Sequence, residues 1–161
     1  MANILVLVAT MTGTAEMIAE DVAEVNGGRH QFSLQVLEKA TLEQLAGARV
    51  ALVVSSTYGE GEVPEPTIPF FNLVRDGKPD LSRLSYGAIT LGDSGPYTNT
   101  FAKGGRLWDA LFTELGATRL GELLVLDASD PSDKTGLALR WAADWLSLIE
   151  KQDAVAKEIC K

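Results

Sequence analysis

Ile4-Leu5-Val6-Leu7-Val8-Ala9 is an unbroken apolar run, the pattern of a strand covered on both faces in a parallel sheet. From Ala15 the period lengthens. Ala15, Ile18, Ala19, Val22 and Val25 fall at helical spacing, Glu16, Glu20, Asp21 and Glu24 take the opposite side, and Asn26-Gly27-Gly28 supplies the stop. The same alternation recurs along the chain. Phe32 to Leu37 reads as a strand with Phe32, Leu34 and Val36 on one face, as at a sheet edge. Thr41 to Leu45 gives a short helical turn, and Val50 to Val54 is a second fully apolar strand. A turn-rich segment, Ser55 to Pro66, then leads to a short helix carrying Phe70, Phe71 and Val74. Tyr86 to Leu91 is a fourth strand. A helix with Trp108, Leu111, Phe112 and Leu115 on one face follows and ends at Gly116. Leu123 to Leu126 is a fifth strand, and the last helix places Ala138, Trp141, Ala142, Trp145 and Ile149 on one side.

Strands interleaved with helices imply right-handed crossovers and an α/β fold with an open, doubly wound parallel sheet of five strands. With 161 residues and 46% hydrophobic positions, the expectation is one domain over residues 1–161, with core enough to fold without staples. The one cysteine, Cys160, has no intrachain partner and fits a reducing cytosol. No stretch approaches the ~20 apolar residues of a membrane span, and the first apolar run is too short for a signal-peptide core, so a cytoplasmic location is expected. The charge of −8, from 22 acidic and 14 basic residues, argues against a nucleic-acid partner, which requires clustered cations.

In a doubly wound sheet the ligand lies beyond the carboxyl ends of the strands, where the winding reverses. That directs attention to the loops after strands one, three and four. The first is Thr10-Met11-Thr12-Gly13-Thr14-Ala15-Glu16: hydroxyls, a glycine and a helix start, able to hold an anion with neutral donors. It is neither a Walker loop nor Gly-x-Gly-x-x-Gly. The second, Ser55-Ser56-Thr57-Tyr58-Gly59-Glu60-Gly61-Glu62, carries an aromatic ring between hydroxyls and glycines. The third, Leu91-Gly92-Asp93-Ser94-Gly95-Pro96-Tyr97, is another glycine turn with an aromatic. Singly, each has an ordinary reading, as a Thr-capped helix start or a tyrosine packed under its own loop. Together they describe two rings able to sandwich a flat heterocycle whose phosphate reaches back to the first loop.

These three segments resemble the flavodoxin family. Thr12-Gly13-Thr14-Ala15-Glu16 and Thr57-Tyr58-Gly59-Glu60-Gly61 are similar to loops of the flavin domains of diflavin reductases. Gly92-Asp93-Ser94, Tyr97, Phe101 and Glu114-Leu115-Gly116-Ala117 resemble the fourth-strand loop and the helix after it. The resemblance spans nearly the whole chain and is nearest to short-chain, MioC-type members. It implies the strand order 2-1-3-4-5 and a site for flavin mononucleotide (FMN). Thr10, Met11, Thr12, Gly13, Thr14 and Ala15 would surround the phosphate, and Ser56 and Thr57 would lie near the phosphate or the ribityl chain. Tyr58 and Tyr97 would flank the isoalloxazine, and Leu91, Gly92 and Asp93 would line its pyrimidine side. Gly59, with Glu60 and Gly61, would form a turn whose peptide reorients to meet a protonated flavin N5. The fourth-strand loop carries one residue more than the family pattern on each side of Tyr97, so Tyr97 either stacks differently or leaves that face open with Phe101 nearby. No residue reads as a catalytic acid, base or nucleophile, and no metal-ligand set is present. His30 reads as an exposed loop residue, and Trp108, Trp141 and Trp145 as packing residues.

The implied role is that of an electron carrier rather than an enzyme. It would act as a monomer, taking electrons from a separate NADPH-dependent reductase with a basic surface and passing them singly to an acceptor redox enzyme. A chain of this size, once occupied by one flavin domain, has no room for a nicotinamide domain. A quinone reductase using NAD(P)H directly remains the alternative. A phospho-receiver is disfavoured, because Ala9-Thr10-Met11 stands where acidic residues are needed. Reduction of the flavin adds negative charge beside Glu60, Glu62, Glu65 and Asp93. One carboxylate at about 10 Å, with an effective dielectric of about 20, opposes it by roughly 1.7 kcal/mol, on the order of 70 mV. The same acidity steers basic partners. Stopped-flow reduction by such a partner is expected to slow as ionic strength rises.

Overall fold

The structure, a computed structural model, describes residues 1–10, 13–57, 63–93 and 103–159. The strands are β1 (Asn3–Ala9), β2 (Gln31–Val36), β3 (Val50–Ser55), β4 (Ser85–Gly92), β5 (Thr118–Arg119) and β6 (Leu124–Asp127). The helices are α1 (Thr14–Asn26), α2 (Leu42–Gly47), α3 (Ile68–Gly77), α4 (Lys103–Glu114) and α5 (Lys134–Ile159). All strand pairs are parallel, in the order β2-β1-β3-β4-β5, with β6 also paired to β4. Among the described residues no helix is long and apolar enough to cross a membrane.

The unbroken apolar runs are explained by cover on both faces. Val6, Val8, Leu52, Val54, Ile89 and Leu91 face α1 and α5, meeting Ile18, Val22, Ala142, Trp145 and Leu146. Leu7, Ala9, Ala51, Val53, Tyr86 and Ala88 face the other way, against Leu45 of α2, Phe70 and Val74 of α3, and Trp108 and Phe112 of α4. All six β3 residues are buried, whereas β2 has exposed positions, as its edge place requires. The short α2 is fixed by a reciprocal cap. The Gln44 amide donates to the Thr41 hydroxyl at 3.2 Å, and the Thr41 amide donates to the Gln44 side chain at 3.0 Å.

The last sheet position departs from the single strand expected over 123–126. Thr118 and Arg119 pair with Ser85 and Tyr86, while Leu124 to Asp127 pair with Ile89 to Gly92. The break falls beside Gly87. A Cβ there would lie 2.6 Å from the Trp145 ring and 2.7 Å from Trp141. The two indoles stack at 5.6 Å over that bare stretch of backbone, and Trp141 Nε1 donates to the Glu122 carbonyl at 2.9 Å, inside the interruption. On the opposite face Tyr86 ties β4 to α4. Its hydroxyl donates to the Asp109 carboxylate at 2.5 Å, and Arg119 donates to the other oxygen at 2.6 Å. Burial, together with the carboxylate beside it, pushes the Tyr86 hydroxyl well above its ordinary value.

His30 is not an exposed loop residue: it is 2% exposed. Its Nδ1 accepts from the Ala2 amide at 3.0 Å, which leaves Nε2 to carry the proton and donate to Glu150 Oε1 at 3.0 Å. Arg29 donates to the same oxygen at 2.9 Å. The partner lies 120 residues away, so local composition gave no sign of the burial. Partial burial raises the Glu150 pKa, but hydrogen bonds from His30 and Arg29 outweigh it and hold the carboxyl below the usual value. A depressed carboxyl stabilises the fold above its unfolded pKa, and that contribution disappears as pH falls through the folded value. Glu150→Gln is therefore expected to lower the urea midpoint at pH 7, the gap to wild type narrowing as pH drops below about 4.

Candidate functional site

Parallel register brings three strand ends level. Ala9 is opposite Ser55, and Ser55 is opposite Thr90. Neighbouring strands lie about 4.8 Å apart, so the segments leaving β1, β3 and β4 share an edge about 10 Å wide. Connections from β1 lead to α1 on one face, and those from β3 and β4 to α3 and α4 on the other. The winding thus reverses between β1 and β3, and it opens a crevice at their carboxyl ends.

After β1, the Gly13 amide donates to Thr10 Oγ1 at 2.9 Å. Gly13 has φ 90°, the left-handed region, and its carbonyl accepts from the Met17 amide at 3.0 Å, beginning α1. No side chain caps this helix among the described residues. The amides of Ala15 and Glu16, in its first turn, have no acceptor within the helix. After β3, the Ser56 amide donates to the Ala9 carbonyl at 2.8 Å, which holds the second segment against the first. The Thr57 hydroxyl oxygen accepts from the Gly104 amide at 2.9 Å. At the end of β4, Leu91 is 8% exposed. The Gly92 carbonyl accepts from the Ala128 amide at 2.8 Å, and the Ser129 hydroxyl donates to the Asp93 carboxylate.

Of the residues named from sequence, Thr10, Gly13, Thr14, Ala15, Ser56, Thr57, Leu91, Gly92 and Asp93 stand at this edge, in the segments just described. Met11, Thr12, Tyr58, Gly59, Glu60, Gly61, Tyr97 and Phe101 lie outside the described residues, as do Glu62 and Ser94. Glu65 is exposed. Sequence reasoning missed Thr90, Gly104, Gly105 and Ser129. One signal was available: two consecutive glycines opening a helix cost about 1 kcal/mol each relative to alanine, and such a pair implies close backbone approach.

The arrangement suits an anion. Thr10 and Thr57 each use their oxygen to receive a backbone N–H, so each has one proton left, and no described residue accepts either proton. A phosphate supplies acceptors only, and it matches donors of this kind together with a helix start. No lysine or arginine falls in residues 10–16 or 55–57.

A doubly wound parallel sheet with donors gathered at its switch point defines a nucleotide-binding α/β protein. The chain belongs to the flavodoxin family, whose profile matches residues 6–141. It is 37% identical over 154 residues to the flavodoxin YqcA of Pectobacterium carotovorum subsp. carotovorum, covering 94% of this chain and all of that one. It is 33% identical over 150 residues to the protein MioC of Escherichia coli (strain K12), covering 93% of this chain and all of that one. A solved structure of flavodoxin from Pseudomonas aeruginosa, a mutant with one cysteine replaced by alanine, superposes with a TM-score of 0.82 at 32% identity. That match covers 92% of this chain and 99% of the other. The family and the strand order expected from sequence are both found.

A Cβ on Gly13 would touch nothing within 4 Å, so a substitution there acts through the backbone alone. Gly13→Ala is expected to reduce unfolding free energy by about 1–2 kcal/mol in urea titration. Gly28→Ala, equally uncrowded and without a positive φ, is expected to change it by less than about 0.5 kcal/mol.

Proposed function

We propose that this chain binds FMN at the edge formed by Thr10, Gly13, Ser56, Thr57 and Gly92, and that it carries electrons between a separate NADPH-dependent reductase and an acceptor redox enzyme. The observation that carries the reading is the donor polarity of Thr10 and Thr57, set by the Gly13 and Gly104 amides at 2.9 Å each. Family membership supports the identity of the cofactor.

FMN, when bound, supplies one- and two-electron redox chemistry. The chain's own residues bind and orient it. Thr10, Ser56 and Thr57 donate hydroxyl protons to the phosphate or the ribityl oxygens. Ala15 and Glu16 offer first-turn amides, and the α1 macrodipole adds positive potential at the same point. Asp93, held by Ser129, fixes the chain leaving β4, so that the Leu91 to Asp93 backbone can line the ring's polar edge. The carboxylates at this edge oppose added charge, which lowers the reduction potential. They also attract a partner with a basic surface.

Absorbance-monitored reductive titration tests the reading. The purified protein is expected to carry oxidised-flavin absorbance that dithionite bleaches. Thr12→Asp, which sets a carboxylate against the phosphate, is expected to lose that absorbance while keeping its far-ultraviolet dichroism. Wild-type protein that takes up no flavin contradicts the cofactor. Steady NADPH oxidation by the protein and a quinone alone contradicts the carrier role.

A further inference from the structure

The second and third residues of α4, Gly104 and Gly105, leave no room for a side chain. A Cβ on Gly104 would lie 2.2 Å from the Ser56 carbonyl oxygen, and one on Gly105 would lie 2.3 Å from Thr90 Cβ. The first contact is with backbone, which cannot swing aside. The absence of side chains lets the helix start sit directly against the segment after β3. It also delivers two first-turn amides to acceptors on other elements: Gly104 to Thr57 Oγ1 at 2.9 Å and Gly105 to the buried Thr90 Oγ1 at 3.0 Å. Amides that lack partners within their own helix are thus satisfied by threonines of the β3 segment and of β4.

A hydroxyl has one proton and two lone pairs. With Oγ1 receiving the Gly104 amide, the Thr57 rotamer is fixed and its proton turns away from α4. We propose that Gly104 and Gly105 are positioning residues for the cofactor, seating α4 so that the Thr57 hydroxyl is presented as a donor to an oxygen on the flavin tail. This rests on the FMN reading above. Two oxygens share the required chemistry, the terminal phosphate and a ribityl hydroxyl. Gly104 acts on the ligand only through Thr57 and the Ser56 carbonyl. Gly105 pins the next amide to β4, which keeps the helix from sliding along the sheet.

The test is titration of the full apo-chain with FMN and, separately, with riboflavin, followed by flavin fluorescence. Thr57→Val removes the hydroxyl at nearly constant volume and is expected to weaken FMN about tenfold or more, as for a lost hydrogen bond to a charged group. Thr57→Ser restores the donor and is expected to bind within about threefold of wild type. Gly104→Ala is expected to weaken FMN to a similar degree. If it acts through the hydroxyl, it adds less than about twofold in the Thr57→Val background. Where Thr57→Val spares riboflavin, the acceptor is the phosphate; where FMN and riboflavin weaken equally, it is a ribityl oxygen; both results support the proposal. Thr57→Val binding FMN like wild type, Thr57→Ser binding no better than Thr57→Val, or fully additive losses from Gly104→Ala and Thr57→Val each overturn it. Should Gly104→Ala fail to fold, Thr90→Val, which removes the acceptor of the Gly105 amide, takes its place: weaker FMN binding that adds less than about twofold in the Thr57→Val background supports the proposal, and FMN binding like wild type overturns it. Wild-type chain that binds no FMN overturns the functional reading itself, a result distinct from any difference among variants.

Discussion

The opening amides of a helix have no acceptors within the helix, and the way this chain meets that requirement organises its site. At the starts of α1 and α4 the acceptors are threonine hydroxyls: Thr10 for Gly13, Thr57 for Gly104 and Thr90 for Gly105. One constraint therefore does two things. It joins each helix start to the end of a strand, and at Thr10 and Thr57 it occupies one lone pair of the hydroxyl and leaves the proton to be offered elsewhere. Charged side chains are unnecessary for holding a phosphate in such a place, and residues 10–16 contain no lysine or arginine.

The sheet makes this local chemistry collective. Register sets Ala9, Ser55 and Thr90 side by side, so segments separated by more than 30 residues in sequence deliver their hydroxyls to one edge. Reversal of winding between β1 and β3 keeps α1 and α4 on opposite faces of the sheet. At the other end of the molecule, the Tyr86–Asp109–Arg119 network anchors α4 to β4 and β5, and His30 with Glu150 anchors α5. Both helices are thus held far from the site.

Much of this was legible in the residues, because both faces of the sheet are covered. The apolar runs at 4–9 and 50–54 admit few readings other than buried parallel strands, and Asn26-Gly27-Gly28 marks a helix end by simple backbone chemistry. The flavodoxin likeness then came from three loops that must converge if the strands are ordered 2-1-3-4-5. The misses share one cause: they depend on contacts distant in sequence. His30 is buried because Ala2 and Glu150 complete its hydrogen bonds. The split at the last sheet position falls where Trp141 and Trp145 lie over Gly87. Gly104 and Gly105 read as helix-weakening residues until Ser56 and Thr90 are seen against them.

Phosphorus nuclear magnetic resonance on the FMN-loaded protein tests the central claim most directly. Free phosphate monoesters take up a proton near pH 6, but N–H and O–H donors aimed at the phosphate oxygens favour the dianion over the protonated form. The account predicts a bound phosphate resonance that stays at the dianion position from about pH 8 to about pH 5. A bound resonance that titrates near pH 6, as free FMN does, would contradict it.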